Sequence, residues 1–165
     1  MLGLVAARET VPKKAISFLW QRRGKHGWGF SLSSGPGDDV ESTALIIEAL
    51  RASGVKKSDK RLKSALRWMS YQVNTQGGMN PGGNNAETQA NATAAWIRAK
   101  RALGLGSGKA KRALRGLQQK NGSFNSTSVA PGSAKVATVE AVTALSGKTR
   151  PVRKRKSRAP LCSAT

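Results

Sequence analysis

The chain has 165 residues and carries 29 Lys and Arg against 8 Asp and Glu, a formal charge of +21. Hydrophobic residues make up 38% of it and recur in regular clusters, which excludes a wholly disordered chain. No apolar run approaches the roughly 18 residues of a membrane span, and the single cysteine, Cys162, and single histidine, His26, exclude a disulfide framework and argue against a Cys- or His-ligated metal centre.

In chain order, Leu2 to Glu9 (LGLVAARE) reads as the end of a helix whose front half is missing before Met1. The apolar stretch there is too short and wrongly flanked for a signal peptide. From about Pro12 an amphipathic helix runs to Gln21, and a Gly-rich turn with Trp28 follows it. In Ser42 to Gly54 (STALIIEALRASG), Ala44 to Leu50 (ALIIEAL) is apolar almost all round, which predicts a helix buried on both sides that stops at a glycine. Leu62, Ala65, Leu66 and Met69 then fall at i, i+3, i+4 and i+7 of a second amphipathic helix that ends near Gln72. Ala92 to Gly104 (ATAAWIRAKRALG) repeats the apolar pattern, with Thr93 in the place of Thr43. Ala110, Ala113, Leu114 and Leu117 form the third amphipathic stripe, ahead of Gln118 and Phe124. Ala137 to Gly147 (ATVEAVTALSG), with Thr138 in register, is the third apolar helix. Residues 153–165 read as a basic disordered tail.

The alternation is an internal repeat of helical hairpins, each pairing an outer basic helix with an inner apolar one. Its copies are about 1–9 (partial), 10–54, 58–104 and 108–147, within a repeat region over 1–152. No run alternates with period two for long enough to make a sheet. The expected fold class is all-α.

The third copy carries Lys109-Ala110, Leu114, Gln118 and Gly122-Ser123-Phe124; the first keeps Lys14-Ala15, Gln21 and Gly27-Trp28; the second keeps Gln72 and Gly78. On these residues the chain resembles the prenyltransferase and squalene-cyclase repeat superfamily, and in particular its short bacterial repeat-containing members. The resemblance implies an α/α toroid, a ring of inner and outer helices about a central cavity. About three and a half repeats would form an open arc of such a ring. It also implies an exported or cell-envelope setting in bacteria.

Within that frame Gln21, Trp28, Gln72, Gln118 and Phe124 are expected to hold repeats together, the glutamines at helix ends and the aromatics against the neighbouring unit. Squalene cyclases protonate an alkene with a D-x-D-D-T-A acid motif. The aligned stretch here is Asp39-Val40-Glu41-Ser42-Thr43-Ala44, so Asp39 and Glu41 are the catalytic candidates and Ser42 replaces the last acid. The ordinary reading makes Asp38, Asp39 and Ser42 caps of the inner helix, with Glu41 facing its dipole. Asn91 and Val136 stand at the corresponding place in the later copies, so the acids do not repeat. The Asp, Cys and His zinc ligands of protein prenyltransferases have no counterpart set, and no metal or cofactor is expected. Among Trp20, Trp28, Phe30, Trp68, Tyr71 and Trp96, Trp96 on an inner helix is the best candidate for lining a ligand pocket.

The charge leads to a second class of reading. Arg51 to Arg67 holds seven basic residues against Asp59, and no acid occurs between Thr88 and Val139. Such a surface attracts polyanions without specificity, and Arg153-Lys154-Arg155-Lys156 extends it. No nucleic-acid module is present, and the aromatics do not interleave with the charges as a base-stacking platform requires. The leading expectation is a non-catalytic repeat protein that binds an apolar small ligand, or the missing repeats of a longer chain, through its inner helices. The alternatives are a terpene-cyclase or prenyltransferase type enzyme acting on an isoprenoid, and a basic polyanion-binding module.

Overall fold

The computed structural model describes residues 1–30, 37–81, 87–128 and 134–148; the tail 153–165, Cys162 included, lies outside them. The described residues are all-α, with helices α1 (Leu2–Ala6), α2 (Lys13–Gln21), α3 (Val40–Ala52), α4 (Lys60–Ser70), α5 (Ala90–Ala102), α6 (Gly108–Arg115) and α7 (Ala134–Leu145), and no strand. None of these helices is long and apolar enough to cross a membrane.

Helix ends follow local chemistry. The Asp39 carboxylate accepts from Ser42 N at 2.6 Å to cap α3, and Asp59 caps α4 through Arg61 N at 2.8 Å. Two residues beyond α1, α3, α5 and α7 stand Arg8, Gly54, Gly104 and Gly147, all with positive φ. In the first three cases the next residue donates to the carbonyl five positions back: Glu9 to Leu4 at 2.8 Å, Val55 to Leu50 at 3.0 Å, and Leu105 to Lys100 at 2.8 Å. This is one stop signal used repeatedly. It gives the short α1 the same ending as α3 and α5.

α5 packs between α3 and α7, α1 lies against α3, α4 packs on α3 and α5, and α6 packs on α5. Ala90, Ala92, Ala94, Ala95 and Ala99 of α5 are buried, and such small side chains leave room for neighbours on several sides. α4 and α6 bury one stripe only, Leu62, Ala65, Leu66 and Met69 in α4, with Ala110 and Leu114 in α6; their basic faces are exposed. On α7, Val136, Val139 and Val142 are 51%, 64% and 55% exposed. The corresponding Ala44 and Ile47 of α3, and Ala94 and Ile97 of α5, are fully buried because another helix follows on that side.

One bond recurs along the chain. The hydroxyl oxygens of Thr43, Thr93 and Thr138 accept from the backbone N–H of Trp28, Met79 and Phe124, each at 2.9 Å. Each threonine thereby ties the turn after α2, α4 or α6 to the helix that follows, α3, α5 or α7. The approach is close: a Cβ on Gly27 would lie 2.2 Å from Thr43 Oγ1, so only glycine fits there. Asp38 was expected as a cap of α3 but serves this turn instead, accepting from His26 N and Gly27 N at 2.9 Å each. In the next turn Asn74 Oδ1 takes the related role, accepting from Gln76 N at 3.1 Å and Gly78 N at 2.9 Å.

Candidate functional site

Helices α3, α5 and α7 border an open cavity of about 500 Å³. α3 contributes Glu41, Ser42 and Leu45, with its capping residue Asp39; α5 contributes Asn91 and Arg98; α7 contributes Val136 and Glu140; Phe30 stands at the rim. The volume falls in the range of small-molecule sites. Its apolar part, Leu45, Val136 and Phe30, is exposed to solvent, and its polar part is acidic.

Glu41 is the group most altered by this setting. Burial, then hydrogen bonding to Asp39 and the negative charge of Asp39, push its carboxyl from the ordinary 4.5 up to about 7. Burial also acts to raise Asp39, but hydrogen bonds from Ser42 and Glu41 outweigh it and hold that carboxyl below its ordinary value. Glu41 is therefore the harder of the two carboxyls to ionise and Asp39 the easier. Helix geometry explains why: Asp39 must cap α3 to satisfy its first amides, and Glu41, two residues on, starts the helix beside it.

Behind the pair lies an ionic bridge across α3, α5 and α7. Arg98 Nε of α5 meets Glu48 Oε2 of α3 at 3.3 Å, and Arg98 Nη1 meets Glu140 Oε2 of α7. The Arg98 side chain is 4% exposed, so its guanidinium is committed to these partners. In the last turns the coupling is basic side chain to backbone: Arg51 donates to Ala102 O at 3.0 Å, and Arg101 donates to Ala144 O and to Lys148 O. These bonds keep the three helix starts, and so the cavity, in register.

Known protein families, curated proteins and solved structures offer no match to this chain.

Of the residues singled out in the sequence, Asp39 and Glu41 are brought together at the cavity. Trp96 is buried in the core with the Lys100 ammonium 5.3 Å from its ring centroid, and the residues lining the cavity do not include it. Trp28 and Phe124 are buried in the positions held by Thr43 and Thr138, and Trp28 Nε1 donates to Leu19 O at 2.6 Å. Gln21 is the exposed last residue of α2. Gln72 and Gln118 stand one place apart in their turns: Gln118 pairs with Phe124, whereas the partner of Met79 is Val73. Gln118 Nε2 donates to Gly122 O at 3.3 Å, and the Gln72 carbonyl accepts from Asn80 N at 2.9 Å. Phe30 reaches the cavity rim, while Tyr71 is exposed and Trp20 and Trp68 are half-buried against the core.

Asn91, Arg98 and Glu140 of the cavity were not singled out as site residues in the sequence. Arg98 is the place in α5 that Glu48 holds in α3, five residues beyond the aligned threonine. A charge of opposite sign at that place in two apolar helices was the readable signal. The basic residues gather elsewhere: Lys60, Lys63 and Arg67 line a shallow depression on α4, and Lys109, Arg112 and Arg115 are exposed on α6.

Proposed function

We propose that the protein is a non-catalytic binding protein that takes a small, partly apolar ligand between its inner helices. The observation that carries this reading is the cavity at the starts of α3, α5 and α7, with Leu45 and Val136 as exposed apolar walls beside a polar floor. A ligand there covers apolar surface that the fold leaves in water, at about 25 cal/mol per Å² buried. The resemblance to prenyltransferase and squalene-cyclase repeats points the same way, since it implies an apolar ligand held on inner helices.

The enzymatic alternative draws on the split between Asp39 and Glu41, because a pair of carboxyls pushed apart is the pattern of an acid–base site. The direction of the split weakens it for alkene protonation. That reaction needs a strong acid, and a Glu41 titrating at about 7 suits proton exchange between groups of near-neutral basicity. The test is a thermal-shift panel of n-octyl and farnesyl compounds with neutral, anionic and cationic heads, alongside product analysis with squalene and prenyl diphosphates. Stabilisation by members of the panel, lost in Leu45→Arg, with no conversion, is the expected result. A cyclised product that disappears in Asp39→Asn would establish the enzyme instead. No stabilisation by any compound would sink the binding reading.

A further inference from the structure

The cavity has an electrostatic character opposite to that of the rest of the molecule. In a chain of +21, four of the eight acidic residues meet at or behind it: Asp39 and Glu41 at the start of α3, and Glu48 and Glu140 on either side of Arg98. Among the described residues Arg98 is the one basic side chain in its lining, and it is already bound by two carboxylates. No other described basic side chain lines the cavity beside Asp39 and Glu41, and the two carboxyls there lie within hydrogen-bonding reach of each other. A half-buried pair of acidic groups of this kind is electrostatically unfavourable when both ionise, and a cation placed between the two groups relieves it.

A separate observation points to hydrogen-bond donors. Asn91 Oδ1, at the cavity, is shielded from solvent and has no hydrogen-bond partner among the described residues. A shielded amide oxygen without a donor is destabilising until a partner arrives. Together with the Asp39 and Glu41 carboxyls it gives three side-chain acceptors on neighbouring helices, next to the apolar walls. Among the described residues no three acidic, His or Cys groups come together to hold a metal ion. Three side-chain acceptors match in number the three N–H donors of a primary ammonium.

Resting on the binding reading above, we propose that the ligand of this cavity is an amphiphilic amine. Its ammonium donates to Asp39, Glu41 and Asn91 Oδ1, and its hydrocarbon part lies on Leu45 and Val136. Arg98 takes no direct part; held by Glu48 and Glu140, it fixes α5 and α7 relative to α3 and so positions Asn91 opposite the acids.

The experiment is calorimetric titration of the full chain at neutral pH with octylamine, octan-1-ol and octanoate. Octylammonium is expected to bind one to one, about tenfold or more tighter than the alcohol or the acid, because charge-assisted hydrogen bonds contribute only with the amine. Glu41→Gln, Asp39→Asn and Asn91→Leu should each weaken it about tenfold, and Asp39→Asn keeps a capping side chain so that α3 still forms. Lys63→Ser, on the far basic face, should leave binding unchanged. Alcohol binding as tight as amine binding, or amine binding indifferent to all three cavity variants, would overturn the amine while leaving an apolar ligand site standing. Absence of binding by all three probes would overturn both readings.

Discussion

Glu48 and Arg98 form an ion pair at 3.3 Å with side chains 1% and 4% exposed, in a protein whose other basic residues lie mainly at its surface. They occupy the same place on α3 and α5, fifty residues apart, and Glu140 extends the bridge to α7. Two ions removed from water gain strong mutual attraction but forfeit hydration, so such a pair adds little net stability over a well-packed apolar pair. Its consequence is positional: a slip of one helix against the next would leave a bare charge in the core.

Removal of one member should therefore be far worse than removal of both. Arg98→Ala strands Glu48 in the interior and is expected to cost about 3–5 kcal/mol. The double variant Glu48→Leu, Arg98→Met should recover most of that loss. Urea unfolding of Arg98→Ala and the double variant measures the difference, and a double variant no better than Arg98→Ala would contradict the account.

The recurrent threonine bond gives a second expectation. Thr93→Val keeps the shape of the side chain but leaves the buried Met79 N–H without its acceptor, for a loss of about 1–3 kcal/mol. Thr93→Ser should retain most of the stability. Gly27→Ala should act on the same bond in the preceding turn, because the new methyl would displace Thr43. Chemical denaturation of the three variants checks this, and equal stability of the Val and Ser variants would rule the bond out as a stabilising element.

Stability should fall between mildly acidic and neutral pH. Glu41 titrates at about 7 in the folded chain and at its ordinary 4.5 when unfolded, so the folded state binds more protons in that interval. Its contribution is complete below 4.5 and is lost as pH rises through 7. Asp39 works in the opposite sense: its folded value lies below the ordinary 3.8, so its stabilisation appears above that pH and is lost on acidification. Solvation of the partly exposed Glu41 carboxyl limits the fall to about 1–2 kcal/mol. Urea midpoints measured from pH 5 to 8.5 should decline in the parent chain and stay flat in Glu41→Gln.

The exposed basic faces of α4 and α6 should bind DNA without sequence preference. Log affinity should fall linearly with log salt, and Lys60→Ser with Lys63→Ser and Arg67→Ser should reduce the slope by about one for each phosphate no longer neutralised. Fluorescence titration of two unrelated duplexes at several salt concentrations is the measurement. Tight binding of one duplex at high salt would mean that this surface reads sequence.

Much of the architecture was legible in the chain. The i, i+3, i+4, i+7 stripe of Leu62, Ala65, Leu66 and Met69 is buried in α4 as its period requires, because a helix buries whatever lies on one side of it. The aligned Thr43, Thr93 and Thr138 were visible as a pattern without a role. Their role depends on turns some fifteen residues away in sequence, which no local rule connects. The glutamines at helix ends were also visible, yet Gln72 and Gln118 fall in different places of their turns because the second and third outer helices run into the turn in different registers. The positions of Asp39 and Glu41 at the start of α3 could be read directly, since capping is a local preference.

The charge of +21, the all-helical pattern and the glycine stops were set by the sequence alone, because each depends on residue type and spacing within a turn or two. Where the charges of each sign would meet was decided only by the packing of α3, α5 and α7. That packing brings Glu48, Arg98 and Glu140 into contact across the chain and leaves Asp39 and Glu41 facing an open cavity. It also buries Ile47 and Ile97 while the equivalent Val142 stays in water. Burial and pairing are properties of neighbours supplied by other helices, and a chain read residue by residue does not contain them.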